Sequence, residues 1–82
     1  PINLRFNAVA PGLVKTALTT SITNDELSLK FSKAMHPLGR IGFPEEIAKV
    51  ITFLLDNENS WITGQIIAVD GGLSTIKQKV RI

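Results

Sequence analysis

The sequence predicts an α/β chain in which two parallel strands are joined by a helical crossover. Three observations predict it. Ile2, Leu4, Phe6 and Ala8 alternate with Asn3, Arg5 and Asn7, and then Val9 and Ala10 make the run apolar on both faces, as in a strand covered by helices. Ile47, Val50, Ile51, Leu54 and Leu55 form an i, i+3, i+4, i+7, i+8 stripe, the mark of an amphipathic helix. Gln65-Ile66-Ile67-Ala68-Val69 is a second short apolar run, more than fifty residues beyond the first. Strands so far apart, with helices between them, are most simply parallel and joined by a right-handed crossover.

The first strand is placed at 3–9. Pro11 has no N–H, so the ladder is expected to stop there. Gly12 is expected to turn the backbone through angles closed to a side chain and to let a ligand approach. Residues 12–23 read as a loop with a helical turn around 17–21. Thr23-Asn24-Asp25-Glu26 matches a capping box ahead of Leu27, Phe31, Ala34 and Met35. This predicts a helix at 24–36 with one buried face, stopped by Pro37, because the residue before proline avoids helical geometry.

His36 to Phe43 is a connection. Pro44 suits a first helical position, and Glu45 and Glu46 complement the positive end of the helix dipole, so a second helix spans 44–56. Asp56 to Ser60 is a polar turn, the second strand covers 65–69, and Asp70-Gly71-Gly72 ends it.

Composition narrows the function classes. The chain has 82 residues, no cysteine and one histidine, so disulfides and a histidine zinc site are excluded as staples. A chain of this size buries only about 60–65% of its unfolded surface. Extra burial is therefore expected from a homo-oligomer or from docking onto the remainder of the same domain. The net charge is +2, but Lys77, Lys79 and Arg81 lie in the last six positions. The body is close to neutral, and the tail reads as a solvated terminus, not a contact for nucleic acid or acidic lipid. No apolar run reaches the ~20 residues that span a bilayer, and no basic-then-apolar leader is visible. The expectation is a cytoplasmic protein with neither nucleic-acid nor membrane partners.

Individual polar residues have plain structural readings. His36 suits a helix C-cap, Trp61 a packing position, and Asp70 a turn residue that bonds its own backbone. Thr19, Thr20, Ser21 and Thr23 suit loop solvation and capping.

Four blocks, in order, resemble the C-terminal third of the short-chain dehydrogenases/reductases. They are Asn7-Ala8-Val9-Ala10-Pro11-Gly12-Leu13-Val14-Lys15-Thr16; Pro37-Leu38-Gly39-Arg40-Ile41-Gly42-Phe43-Pro44-Glu45-Glu46-Ile47-Ala48; Ile62-Thr63-Gly64-Gln65; and Val69-Asp70-Gly71-Gly72. Within that family the chain is most similar to the branch of 3-oxoacyl-carrier-protein reductases and glucose dehydrogenases. The resemblance implies a C-terminal fragment of a Rossmann-type doubly wound parallel sheet over residues 1–76, followed by a basic tail at 77–82. It implies that the loop after the first strand lies beside the nicotinamide of NAD(H) or NADP(H). Val14 backbone would pair with the carboxamide and the Thr16 hydroxyl would bond the cofactor, with Pro11 and Gly12 shaping the turn. It also implies that residues 17–36 form a substrate lid, lined by Leu18, Ile22 and Phe31, and that the strand at 65–69 is the edge through which protomers pair.

The departures matter as much. The family's catalysis uses a Tyr-x-x-x-Lys pair with a serine, and this chain contains no tyrosine. It also lacks the Gly-rich turn that holds a pyrophosphate, and Asn7 belongs to the strand block and is not the family's catalytic asparagine. The segment alone is expected neither to transfer hydride nor to bind NAD or NADP. A second class stays open: a non-enzymatic, self-associating remnant or interaction module.

Overall fold

The computed structural model describes residue 1 and residues 3–77; Ile2, and Lys79 and Arg81 of the basic tail, lie outside the described residues. Strand β1 (Ala8–Pro11) is followed by a 3-10 turn (Ala17–Thr19), helix α1 (Thr20–Thr23), helix α2 (Glu26–Met35), helix α3 (Pro44–Leu55), a 3-10 turn (Asn57–Asn59) and strand β2 (Ile66–Val69). The two strands are parallel and in register from Ala8 opposite Ile66 to Pro11 opposite Val69. The α/β crossover unit is as the sequence predicts.

The first strand differs from expectation at both ends. It starts at Ala8, not at residue 3, because the segment before it meets a loop and not a strand. Arg5 Nη1 donates to the Ile62 carbonyl at 3.1 Å, Phe6 N–H to Thr63 Oγ1 at 3.0 Å, and Gln65 N–H to Asn7 Oδ1 at 3.0 Å. Nor does the ladder stop before Pro11. Ala8 N–H donates to Gln65 O and Gly12 N–H to Val69 O. Donors toward one neighbour recur every second residue in a strand, so the Pro11 nitrogen faces the other edge and its missing N–H costs this ladder nothing.

Helix α2 is shorter than expected and capped differently. Asp25, not Thr23, is the N-cap: its carboxylate accepts from Ser28 N–H at 3.1 Å and from the Ser28 hydroxyl, and this lowers the Asp25 pKa. Thr23 is spent as the last residue of α1. The predicted buried face is also absent, since Leu27, Phe31 and Met35 are all exposed. Helix α3 matches closely, with Pro44 in its first turn and Glu46 reaching back to the Phe43 N–H at 3.1 Å.

Helix α3 packs on β1, and the strand parity shows which face it covers. Val9, Ile67 and Val69 are half-buried, whereas Ala8, Ala10, Ile66 and Ala68 on the other face are exposed. No second layer covers this apolar sheet face among the described residues. Among the described residues the buried apolar core is Ile41 and Leu54. The Cα radius of gyration is 15.3 Å, against about 12 Å for a compact domain of this length. Trp61 is 100% exposed, which corrects its reading as a packing residue: its turn lies where no described layer reaches it. Among the described residues, no helix is long and apolar enough to cross a membrane, and no acidic or histidine cluster could hold a metal.

Candidate functional site

The loop leaving β1 is anchored by three separate parts of the chain. Gly12 N–H donates to Val69 O at 3.2 Å, so β2 holds the loop's start. Leu13 N–H donates to His36 Nε2 at 3.2 Å, which ties it to the end of α2. Gly42 N–H donates to Leu13 O at 2.9 Å and Lys15 N–H to Gly42 O at 3.0 Å, a one-residue parallel bridge between Val14 and Gly42. In such a bridge the flanking residues make the bonds, so the N–H and C=O of Val14 itself point away from Gly42.

Val14 O accepts from Thr19 Oγ1 at 2.7 Å, and a carbonyl has a second lone pair. Among the described residues no hydrogen bond is made by the Val14 N–H. Thr16 N–H donates to Thr19 Oγ1 at 2.9 Å, and the two threonine hydroxyls are 3.4 Å apart. The hydroxyl run thus splits in function, and Thr19 is the member that shapes the loop.

Gly12 is required for a reason other than the predicted one. Its φ is not positive; the left-handed glycines are Gly39, Gly64, Gly71 and Gly72. A Cβ on Gly12 would lie 2.8 Å from His36 Nε2 and 3.0 Å from Asp70 Cα. The glycine permits close approach of the chain to itself.

A cleft of about 390 Å³ opens at the carboxyl ends of the strands, where Gly12, His36, Arg40, Glu46 and Asp70 converge. Asp70 accepts from Gly72 N–H at 3.0 Å and Ser74 N–H at 3.1 Å, the turn role read from the sequence. Its pKa is lowered, first by hydrogen bonding from the Ser74 side chain and least by the charge of His36. His36 is also a C-cap, as expected, but its ring does more than a cap requires. Arg40 grips Glu46 with two 2.8 Å bonds. That pairing, with the Phe43 N–H, draws the Glu46 pKa down to about 2. No period or charge count in the sequence singles out this pair, since Arg40 is in a loop and Glu46 in a helix.

The predicted residues do not share one cavity. Gly12 lines the cleft at the strand ends, whereas Thr16 lines a separate hollow with Thr20, Phe43 and Pro44. Pro11 and Val14 line neither, with Val14 in the loop between them. Leu18, Ile22 and Phe31 lie on the 3-10 turn, α1 and α2, exposed, and line neither space.

Comparison with known proteins decides the family. A family model described as enoyl-(acyl carrier protein) reductase matches residues 1–74. The 3-oxoacyl-[acyl-carrier-protein] reductase FabG of Chlamydia trachomatis is 49% identical over 72 residues, 88% of this chain. The chain belongs to the short-chain dehydrogenases/reductases. Among solved members, a short-chain dehydrogenase/reductase (glucose/ribitol dehydrogenase) of Brucella melitensis superposes with a TM-score of 0.77 at 36% identity, over 88% of this chain and 29% of the other. A 4-hydroxyisoleucine dehydrogenase complexed with NADH superposes with a TM-score of 0.86 at 29% identity, over 92% and 31% respectively. The chain spans 28% of the length of the Chlamydia reductase, so it corresponds to a part of a short-chain dehydrogenase/reductase. The Rossmann-type parallel sheet predicted from the sequence is the fold of these relatives.

Proposed function

We propose that this segment forms the nicotinamide-end wall of an NAD(P)-dependent oxidoreductase that interconverts an alcohol and a carbonyl by hydride transfer between substrate and nicotinamide. Val14 is the observation that carries the reading. A carboxamide needs an N–H for its oxygen and a carbonyl for its NH₂, and Val14 offers both from one anchored residue just past a strand end, where parallel sheets bind ligands. Thr16 would add a hydroxyl to the cofactor. Pro11 and Gly12 would set the loop's path, and Leu18, Ile22 and Phe31 would close over substrate. The strand edge of β2 would pair protomers into a homo-oligomer in the cytoplasm. A bound nicotinamide would donate the hydride in carbonyl reduction and accept it in alcohol oxidation. The segment has no tyrosine, so a phenol that passes the proton would come from residues outside it.

The test is a graft in which residues 1–74 replace the matching C-terminal segment of the Chlamydia trachomatis reductase. The graft is expected to oxidise NADH or NADPH with a 3-oxoacyl substrate, and Val14→Pro, which removes the N–H, is expected to raise the cofactor KM. A folded graft without turnover contradicts the proposal. A second reading, a non-enzymatic self-associating module, draws on the uncovered face of Ala8, Ala10, Ile66 and Ala68, and it predicts association of the chain with a graft that stays inert.

A further inference from the structure

We propose that His36 is a positioning residue that couples the lid to the cofactor loop and does so only while its imidazole is neutral. The inference rests on the reading of the Val14 loop given above. The ring lies at the C-terminus of α2 and is 4% exposed. Nδ1 is 2.6 Å from the Ser32 carbonyl, and Nε2 is 3.2 Å from the Leu13 nitrogen. A carbonyl can only accept and a backbone N–H can only donate. The partners therefore assign the proton to Nδ1 and leave Nε2 as a bare acceptor. One side of the ring holds the last turn of the lid helix; the other holds the residue before Val14. Gly12 makes the room for this approach, because a Cβ there would meet Nε2 at 2.8 Å.

A second proton must go on Nε2, where it faces the Leu13 N–H. Two donors then oppose each other in a buried site, and the loop must move or the ring must leave. The surrounding charges do not provide Leu13 with a substitute acceptor. Asp70, at the end of β2, is bonded to the backbone of its own turn; its carboxylate attracts the charged ring and so favours the second proton, but it makes no bond to the Leu13 N–H. Arg40 and Glu46, across the cleft, are paired with each other. Lys33 in the last turn of α2 and Lys15 in the loop carry only donors. Acidification thus releases the Val14 loop from the lid, while leaving the bridge to Gly42 and the bond to β2 in place.

The test reads histidine ¹⁵N and Leu13 amide signals in the folded graft. The expected result is an Nδ1–H tautomer with an acceptor-type Nε2, and a Leu13 amide that shifts together with the His36 ring signals on acidification. In the active graft, the cofactor KM is expected to rise about threefold to tenfold on acidification, the size of one lost hydrogen bond, with a smaller change in kcat. His36→Gln should flatten that rise. A proton on Nε2, or a Leu13 amide that ignores His36, overturns the proposal whether or not the graft turns over. So does an active graft whose KM profile is unchanged by His36→Gln. An inert graft that shows the expected tautomer and coupled shift supports the tie and contradicts only the proposed function.

Discussion

Gly12 and Glu46 show what single residues contribute here. The Cβ of a Gly12→Ala variant meets the Asp70 backbone at 3.0 Å and His36 Nε2 at 2.8 Å. Backbone cannot yield cheaply, so the variant should lose about 1–3 kcal/mol of stability, measured by urea unfolding of the grafted enzyme. Glu46 titrates at about 2 when folded, against an ordinary value near 4.5. Its folded pKa is depressed, so its stabilisation is complete above pH 4.5 and is lost as pH falls toward 2. Glu46→Gln should remove that acid dependence, read as hydrogen-exchange protection at the Phe43 amide that no longer falls with acid. The sequence pointed to Gly12 and Glu46 for partial reasons. A glycine after proline suggests a turn, and nothing in one dimension shows that His36 and Asp70 crowd it. Glu46 was legible as a dipole partner, but Arg40 as its clamp requires the fold of the intervening loop.

Among the elements, α3 and β2 were legible almost to the residue. Their signals are local: a proline start and an unbroken stripe for α3, and an apolar run between Gly64 and Asp70 for β2. The start of β1 and the cap of α2 were not. Alternation over residues 2–8 is real, but a strand also needs a neighbour, and β2 reaches back only as far as Ala8. For α2, two capping residues compete within three positions, and Asp25 wins because α1 already consumes Thr23. The stripe of α2 predicted a buried face that the described residues do not supply. That mismatch supports a missing layer, as does the exposed sheet face. Ile66 is 78% exposed on that face, and placing a charge there costs little in the isolated chain but much in an assembly. Sedimentation should show at least a dimer for the 82-residue chain at micromolar concentration, and Ile66→Lys should return it to monomer; a folded wild-type monomer would count against self-association.

At the scale of the whole molecule, a buried core of Ile41 and Leu54 cannot offset the ordering of a chain this long. Calorimetry of the isolated segment should show no sharp cooperative transition, whereas the graft should unfold as a unit. The family was legible because four blocks recur in order, and Val14 and Thr16 are singled out as site residues only through that resemblance. The split between two hollows, and the role of Thr19 in shaping the loop, required coordinates. What ties residue, element and molecule together is the anchored loop, with Val14 facing away from its bridge. The most direct measurement is a titration of the graft with NADH or NADPH while the Val14 and Thr16 backbone signals are followed by NMR. Both signals are expected to shift in step with cofactor binding, Val14 most strongly. Saturation of the graft by cofactor with both signals unmoved would contradict this reading.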